Sequence, residues 1–346
     1  MTSTIVGVIR ETAPDERRVA LTPDTIGAVA ALGMTTLVQT TAGVRAWWSD
    51  GAYVAAGAHV VSEDELFARA DVVLTVDGAD DGTCRRLHPG QVLVGLLRPL
   101  AHPSLVRTWV DCGITTISLD LLPPTPATAR SMDALGSQAA VAGYKAAVLA
   151  ADTFGGFFAG PAVAPDGIVP ARVLVIGSGP AAAAAIDTAG RLGAAVTSRA
   201  IGGPDQVAEF DVVITTVPWP GHRPPTLVTA TAVRRMRPGS VIVDLATGPL
   251  GGNVEGAEMD TTVVLGHGVI VIGAGNLPAQ LAPAASTLYA GNIVALLSHL
   301  APGGVVTVDP TDDIQAAIVV THAGRVVSTE VAASQRRATI TSGGVG

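Results

Sequence analysis

Gly177-Ser178-Gly179-Pro180-Ala181-Ala182 is a Gly-x-Gly-x-x-Ala spacing set between an apolar run, RVLVI, and an Ala-rich run, AAAAAIDTAG. In such a turn the first glycine permits a tight reversal, the second lets a pyrophosphate approach the backbone, and the small sixth residue lets helix and strand pack closely. Free N–H groups and the dipole at the helix N-terminus attract phosphate. The chemistry indicated is dinucleotide binding at Gly177, Gly179, Pro180, Ala181 and Ala182. Pro180 removes one N–H donor, and close packing of a strand-helix-strand unit is the competing explanation of the same small residues.

A site that prefers an unphosphorylated ribose carries Asp or Glu at the end of the second strand, about 20 residues after the first glycines. This chain has Ser198, Arg199 and Ala200 there. A guanidinium fork matches phosphate oxygens, so Arg199 tilts the site from NAD(H) towards NADP(H). A solvated strand-end charge is the equal alternative. The linker AIGGPDQVAEF leaves no room for a standard third strand with its helix, so part of the adenine-side wall is expected to be missing.

Arg18, in DERRV, is a candidate carboxylate clamp, and Arg98 follows a buried strand at the edge where α/β sheets place their ligands. His102, His222 and His267 are isolated, and Cys84 and Cys112 lack metal-ligand spacing, so no metal site is expected.

The elements that must position these groups alternate between strand and helix. TIVGVI (4–9), TTLVQT (35–40), ADVVLTVD (70–77), QVLVGLL (91–97) and GITTISLD (113–120) read as buried strands with helical or loop segments between them. MDALGSQAAVAGYKAAVLAADTF fits one long helix at a domain crossing. After RVLVI, the runs DVVITTV, GSVIVDLA and GVIVIGA read as further buried strands. The expectation is an α/β fold of two domains, a Rossmann-like doubly wound parallel sheet (137–300) inserted in a discontinuous α/β N-terminal domain (1–136 and 301–346). The Ala-rich helix 284–300 is assigned to the inserted domain, and RRATITSGGVG reads as a loose tail.

With 346 residues, a net charge of −8 and no basic cluster, nothing points to nucleic acid or an anionic membrane surface. No charge-free apolar run is long enough to span a bilayer, and the N-terminus lacks an apolar signal core. The composition reads as a soluble, reduced, cytoplasmic protein.

Six blocks in fixed order carry a resemblance over nearly the whole chain: RETAPDERRVALTP, RSMDALGSQAAVAGYKAAV, DVVITTVPWPGHRPPTLVT, MRPGSVIVDLATGPLGGNVEG, GAGNLPAQLAPAASTLYAGNIVALL and AAIVVTHAGRVV. With them the sequence resembles the alanine dehydrogenase and nicotinamide nucleotide transhydrogenase α-subunit family, closer to the transhydrogenase branch. The resemblance implies a protein that is dimeric or larger and that binds NAD(H) between its two domains; pairing with a complete paralogue belongs to the degenerate alternative below. It implies that Asn276 and Leu277 lie near the nicotinamide, Asp133 and Gln138 contact it from the other domain, and Thr216 and Val217 end the strand beside it. Arg18 matches the Arg that holds the substrate carboxylate in dehydrogenases.

The departures are as informative. The catalytic Lys expected around LTVDGAD is absent, with Thr75 and Asp77 in that region. Arg98 replaces the catalytic His, Gly248 the Asp after VDLA, and Ala200 the acidic ribose partner. Of the domain-crossing Arg, Gln and Asp, only Asp133 remains, with Thr125 and Arg130 in the other places. For Asp133, orienting the nicotinamide or transferring a proton competes with simple stabilisation of a helix dipole. Proton-coupled transhydrogenation would need separate membrane subunits. The expected function is NAD(P)-linked hydride transfer with a small-molecule substrate, an amino or oxo acid; the alternative is a degenerate member that has lost redox activity and acts as a binding partner, a regulator or a non-redox enzyme.

Overall fold

The computed structural model describes residues 3–78, 80–123, 130–159, 169–201, 207–309 and 311–342. The chain divides into two compact units, Met1–Leu135 with Ala282–Gly346, and Gly136–Leu281.

In the first unit, valine- and leucine-rich runs form buried strands, because β-branched side chains suit a sheet covered on both faces. These are β1 (Ile5–Val8), β2 (Thr35–Gln39), β3 (His59–Val61), β4 (Val72–Asp77), β5 (Val92–Leu96) and β6 (Thr115–Ser118). Between them run α1 (Pro23–Ala31), α2 (Asp50–Ala55), α3 (Glu63–Arg69), α4 (Asp81–Cys84) and α5 (Pro103–Asp111). Their starts are legible locally. Ser49 and Ser62 accept from the backbone N–H of Ala52 and Glu65 at the starts of α2 and α3, while α1 and α5 open with proline.

The second unit opens with α6 (Ala134–Thr153), which has its first two residues in the first unit, and continues with β7 (Arg172–Ile176), α7 (Pro180–Arg191), β8 (Ala195–Arg199), β9 (Val212–Thr215), α8 (Ala230–Arg235), β10 (Val241–Asp244), β11 (Thr261–Leu265), β12 (Val269–Gly273) and α9 (Leu277–Gln280). The chain then returns to the first unit with α10 (Ala282–Leu300), α11 (Asp313–Ile318), β13 (Val319–His322), β14 (Arg325–Val326) and α12 (Thr329–Ser342).

The first sheet has the order β14-β13-β6-β5-β4-β1-β2-β3, parallel from β6 to β3, with β13 and β14 added antiparallel. The second has the order β11-β12-β10-β9-β7-β8, parallel except for β11. From β7 the chain moves to β8 on one side and then to β9 on the other, which creates a topological switch point at the carboxyl ends of β7 and β9. β8 is an edge strand, consistent with the short linker that follows it.

Two expectations are corrected. The Ala-rich helix belongs to the first unit, because Tyr289, Ile293, Leu296, Leu297 and Leu300 of α10 pack into the same core as Val6, Leu74 and Val94 of the first sheet. The segment expected to be a loose tail is helical to Ser342, within α12, and Val331 is buried against the other face of that sheet.

In the second unit, α6 crosses α7 at Gly143, where an added β-carbon would lie 2.0 Å from the carbonyl oxygen of Ala181. Backbone cannot yield as a flexible side chain can, so Gly143→Ala should cost about 2–3 kcal/mol. Denaturant unfolding checks this, and a variant as stable as its parent would refute the close crossing.

Candidate functional site

The glycine turn stands at the switch point. Gly177 follows β7 with φ +137°, a conformation open to glycine, and its N–H donates to the Arg199 carbonyl at 2.8 Å. A β-carbon there would lie 2.0 Å from Thr216 Oγ1, so the turn and the end of β9 interlock. Thr216 is itself fixed, its N–H and its hydroxyl both donating to the Ile176 carbonyl at 2.9 and 3.2 Å.

Gly179 is the N-cap of α7, and nothing lies within 4 Å of the position its β-carbon would take. Its side is open for a ligand to approach the backbone. Pro180 occupies the first turn, where a missing N–H is least costly. Ala181 meets α6 at Gly143, and Ala182 is buried in the core of the unit. A tight turn, an open glycine and the N-terminus of a three-turn helix fit a dinucleotide pyrophosphate.

Arg199 ends β8, half-buried, with its guanidinium 5.9 Å from the centre of the Phe210 ring. A cation over an aromatic face is held in place by the negative potential of the ring. Ser198 and Ala200 beside it are exposed, and neither position following or preceding Arg199 carries a carboxylate.

The other matched residues of this unit have structural partners. Gln138 is buried near the start of α6, with Nε2 3.4 Å from Ser137 Oγ. Asn276 caps α9, its side chain accepting from Ala279 N–H at 3.3 Å, while Leu277 is buried in the core. Val217 pairs through both its N–H and its carbonyl with the side chain of Asn253.

In the first unit the carboxyl ends of β1, β4, β5 and β6 gather Arg18 and Arg98 into one charged cluster. Arg18 and Glu16 form a buried bidentate pair, Nε to Oε1 at 2.8 Å and Nη2 to Oε2 at 2.5 Å, with side chains 3% and 0% exposed. Arg98 has a left-handed backbone, φ +49°, its N–H donating to Asp120 Oδ1 at 3.2 Å. Its half-exposed guanidinium lies 3.0 Å from Asp77. Asp133 stands immediately before α6, half-buried, its N–H donating to the Arg130 carbonyl at 3.3 Å. Thr125 lies outside the described residues.

Two carboxyl groups escaped the sequence reading. Glu11 is buried behind β4, accepting from Thr75 Oγ1 at 2.9 Å and Val76 N–H at 2.7 Å. Burial pushes its pKa up to about 7, helped by Glu16 and Asp77 and opposed by the two hydrogen bonds. Asp244 ends β10, accepting from Thr215 Oγ1, Ala246 N–H and Val254 N–H at 2.9 to 3.0 Å. Burial raises its pKa despite those bonds. For Asp244 a signal was available, a carboxylate closing the buried run VIVD; for Glu11 there was none in RETAPDERRV, which reads as a charged loop.

A Gly-x-Gly-x-x-Ala turn at the switch point of a doubly wound sheet is the arrangement of dinucleotide-binding α/β proteins, here in a chain of two units. The family models for the N-terminal and C-terminal domains of alanine dehydrogenase/PNT match residues 7–142 and residues 146–202 and 203–329. The chain belongs to the alanine dehydrogenase/PNT family. It is 36% identical over 370 residues to the NAD(P) transhydrogenase subunit alpha of Cereibacter sphaeroides, which covers 93% of this chain and 70% of that relative. It is 31% identical over 320 residues to the alanine dehydrogenase of Bacillus subtilis, covering 84% and 83%. A crystal structure of transhydrogenase from Sinorhizobium meliloti matches with a TM-score of 0.85 and 32% identity, covering 93% and 99%. Among the described residues no helix is long and apolar enough to cross a membrane.

Proposed function

We propose that this chain is an NAD(P)-linked oxidoreductase whose second unit holds the dinucleotide. The observation that carries the reading is the interlock of Gly177 with Thr216 beneath the open N-terminus of α7. The pyrophosphate would rest on the Gly177–Ala182 turn, the adenine ribose at the end of β8, and the nicotinamide half along the end of β9. When bound, the cofactor supplies hydride transfer at the nicotinamide, and the protein orients the ring and excludes water. The relatives named transhydrogenase and alanine dehydrogenase support the class. The partner in hydride exchange is then a second nicotinamide nucleotide or a small amino or oxo acid. Assembly as a homodimer or with a paralogous chain belongs to the same proposal, and light scattering reads it.

Titration with NADH and with NADPH, followed by nicotinamide fluorescence, tests the proposal; no saturable binding of either at millimolar concentration overturns it. Arg199→Ala should weaken NADPH about tenfold and leave NADH unchanged. Equal NADPH affinity in the variant would remove Arg199 from the 2′-phosphate.

A second reading, a binding or regulatory member without redox chemistry, is favoured by one observation. Both candidate carboxylate clamps of the first unit already hold carboxylates of the chain itself, Arg18 with Glu16 and Arg98 with Asp77. Absence of cofactor binding would favour this reading; saturable binding followed by turnover of an acid substrate would exclude it.

A further inference from the structure

Asn253 lies outside the glycine turn, yet its side chain is fully buried against the end of β9. We infer that Asn253 is a positioning residue for the nicotinamide half of the dinucleotide, an inference that rests on the nucleotide-binding reading above.

The amide ties the chain beyond the end of β9, past the last ladder pairs with β7 and β10. Its Oδ1 accepts from Val217 N–H at 3.1 Å, and its Nδ2 donates to the carbonyls of Val217 and Pro225, both at 2.9 Å. The Asn253 carbonyl accepts from Leu227 and Val228 N–H at 2.7 and 3.0 Å. One residue thus fixes where the chain leaves β9 and where it returns before α8.

Asp244 secures Asn253 from behind by accepting from the next residue, Val254, while the same carboxylate holds Thr215. Gly252 leaves the space for this, since a β-carbon there would lie 2.3 Å from Asp244 Oδ2. Thr215 and Val217 are therefore each tied by a side chain, and Thr216 between them is the residue that meets Gly177.

The direction of the effect follows from the sheet order. The ribose-reading position belongs to the end of β8, so the adenine half of a dinucleotide lies on that side of the switch point and the other half lies over β9 and β10. Asn253 acts at the end of β9 and on the segment that follows it, on the nicotinamide side of that division. Asparagine is required by the pattern of bonds, because it must accept once and donate twice. A carboxylate would face two carbonyls, and alanine would leave three backbone groups unpaired.

The test is calorimetric titration of the full chain with whichever of NADH and NADPH it binds, and with the matching ADP-ribose or 2′-phospho-ADP-ribose, which lack nicotinamide. Asn253→Ala should weaken the complete dinucleotide about tenfold and the truncated nucleotide less than twofold. Asn253→Asp, closest in volume, should show the same selective loss and serves where the alanine variant fails to fold. Unchanged affinity for both ligands, or equal loss of both in a folded variant, overturns the inference while leaving the nucleotide site standing. A native chain that binds neither ligand overturns the nucleotide reading and this inference together.

Discussion

Raising the pH from 5 to 8 should destabilise the first unit by about 2–3 kcal/mol through one side chain, and Glu11→Gln should abolish that component. Glu11 is held in the fold with a pKa of about 7 against an ordinary value of 4.5, chiefly because burial disfavours its charge. The folded state therefore binds this proton more tightly than the unfolded chain. Its stabilising effect is complete below the unfolded pKa and is lost as the pH rises through the folded one. The surroundings explain the sign: ionised Glu11 would sit among Glu16 and Asp77, and Arg18 is already engaged by Glu16.

Thermal unfolding across this pH range, in wild type and variant, isolates the term, since other carboxylates contribute equally to both. The difference corresponds to roughly 5–10 °C in Tm for a unit of this size. Parallel pH profiles for the two proteins would show that Glu11 is ionised, or solvated, in the fold.

Gly177→Ala should abolish nucleotide binding and cost more than about 3 kcal/mol of stability. The added carbon meets Thr216 Oγ1 at 2.0 Å, and the backbone at φ +137° disfavours any β-carbon. These two causes separate in a double-mutant cycle. Thr216→Ala removes the hydroxyl but leaves the Thr216 β-carbon, 3.3 Å from the new methyl, and the backbone strain. The double variant should therefore recover only part of the stability lost by Gly177→Ala. Full additivity would show that the turn and β9 are not coupled.

What could be read in advance was local. The five apolar runs of the first half became β1, β2, β4, β5 and β6, because continuous burial in a parallel sheet leaves a continuous apolar run. β3, with three residues, and β11, which is largely exposed at a sheet edge and carries two threonines, left no such run. The glycine turn was legible because its residue signature lies within six residues, although its contacts with Arg199 and Thr216 do not. Glu11 was not, since its burial depends on Thr75 and Val76, 64 and 65 residues away. Asn253 was invisible for the same reason, its partners Val217 and Pro225 being 36 and 28 residues distant. The place of α10 misled because its apolar residues suit either unit, and the contacts of Tyr289 and Leu297 decide between them.

The return of the chain at Ala282 has a consequence for biosynthesis. When residues 3–135 have left the ribosome, their sheet still lacks β13, β14 and the apolar cover of α10. The inserted unit is contiguous, so it can fold as soon as residue 281 emerges. Its folding then draws residues 135 and 282 towards a fixed separation and spares the outer unit much of the entropy of closing that loop. A mutation that slows the inner unit, such as one at Gly143, should thus leave the outer unit's N-terminal half exposed to proteases for longer, although it lies in a different core.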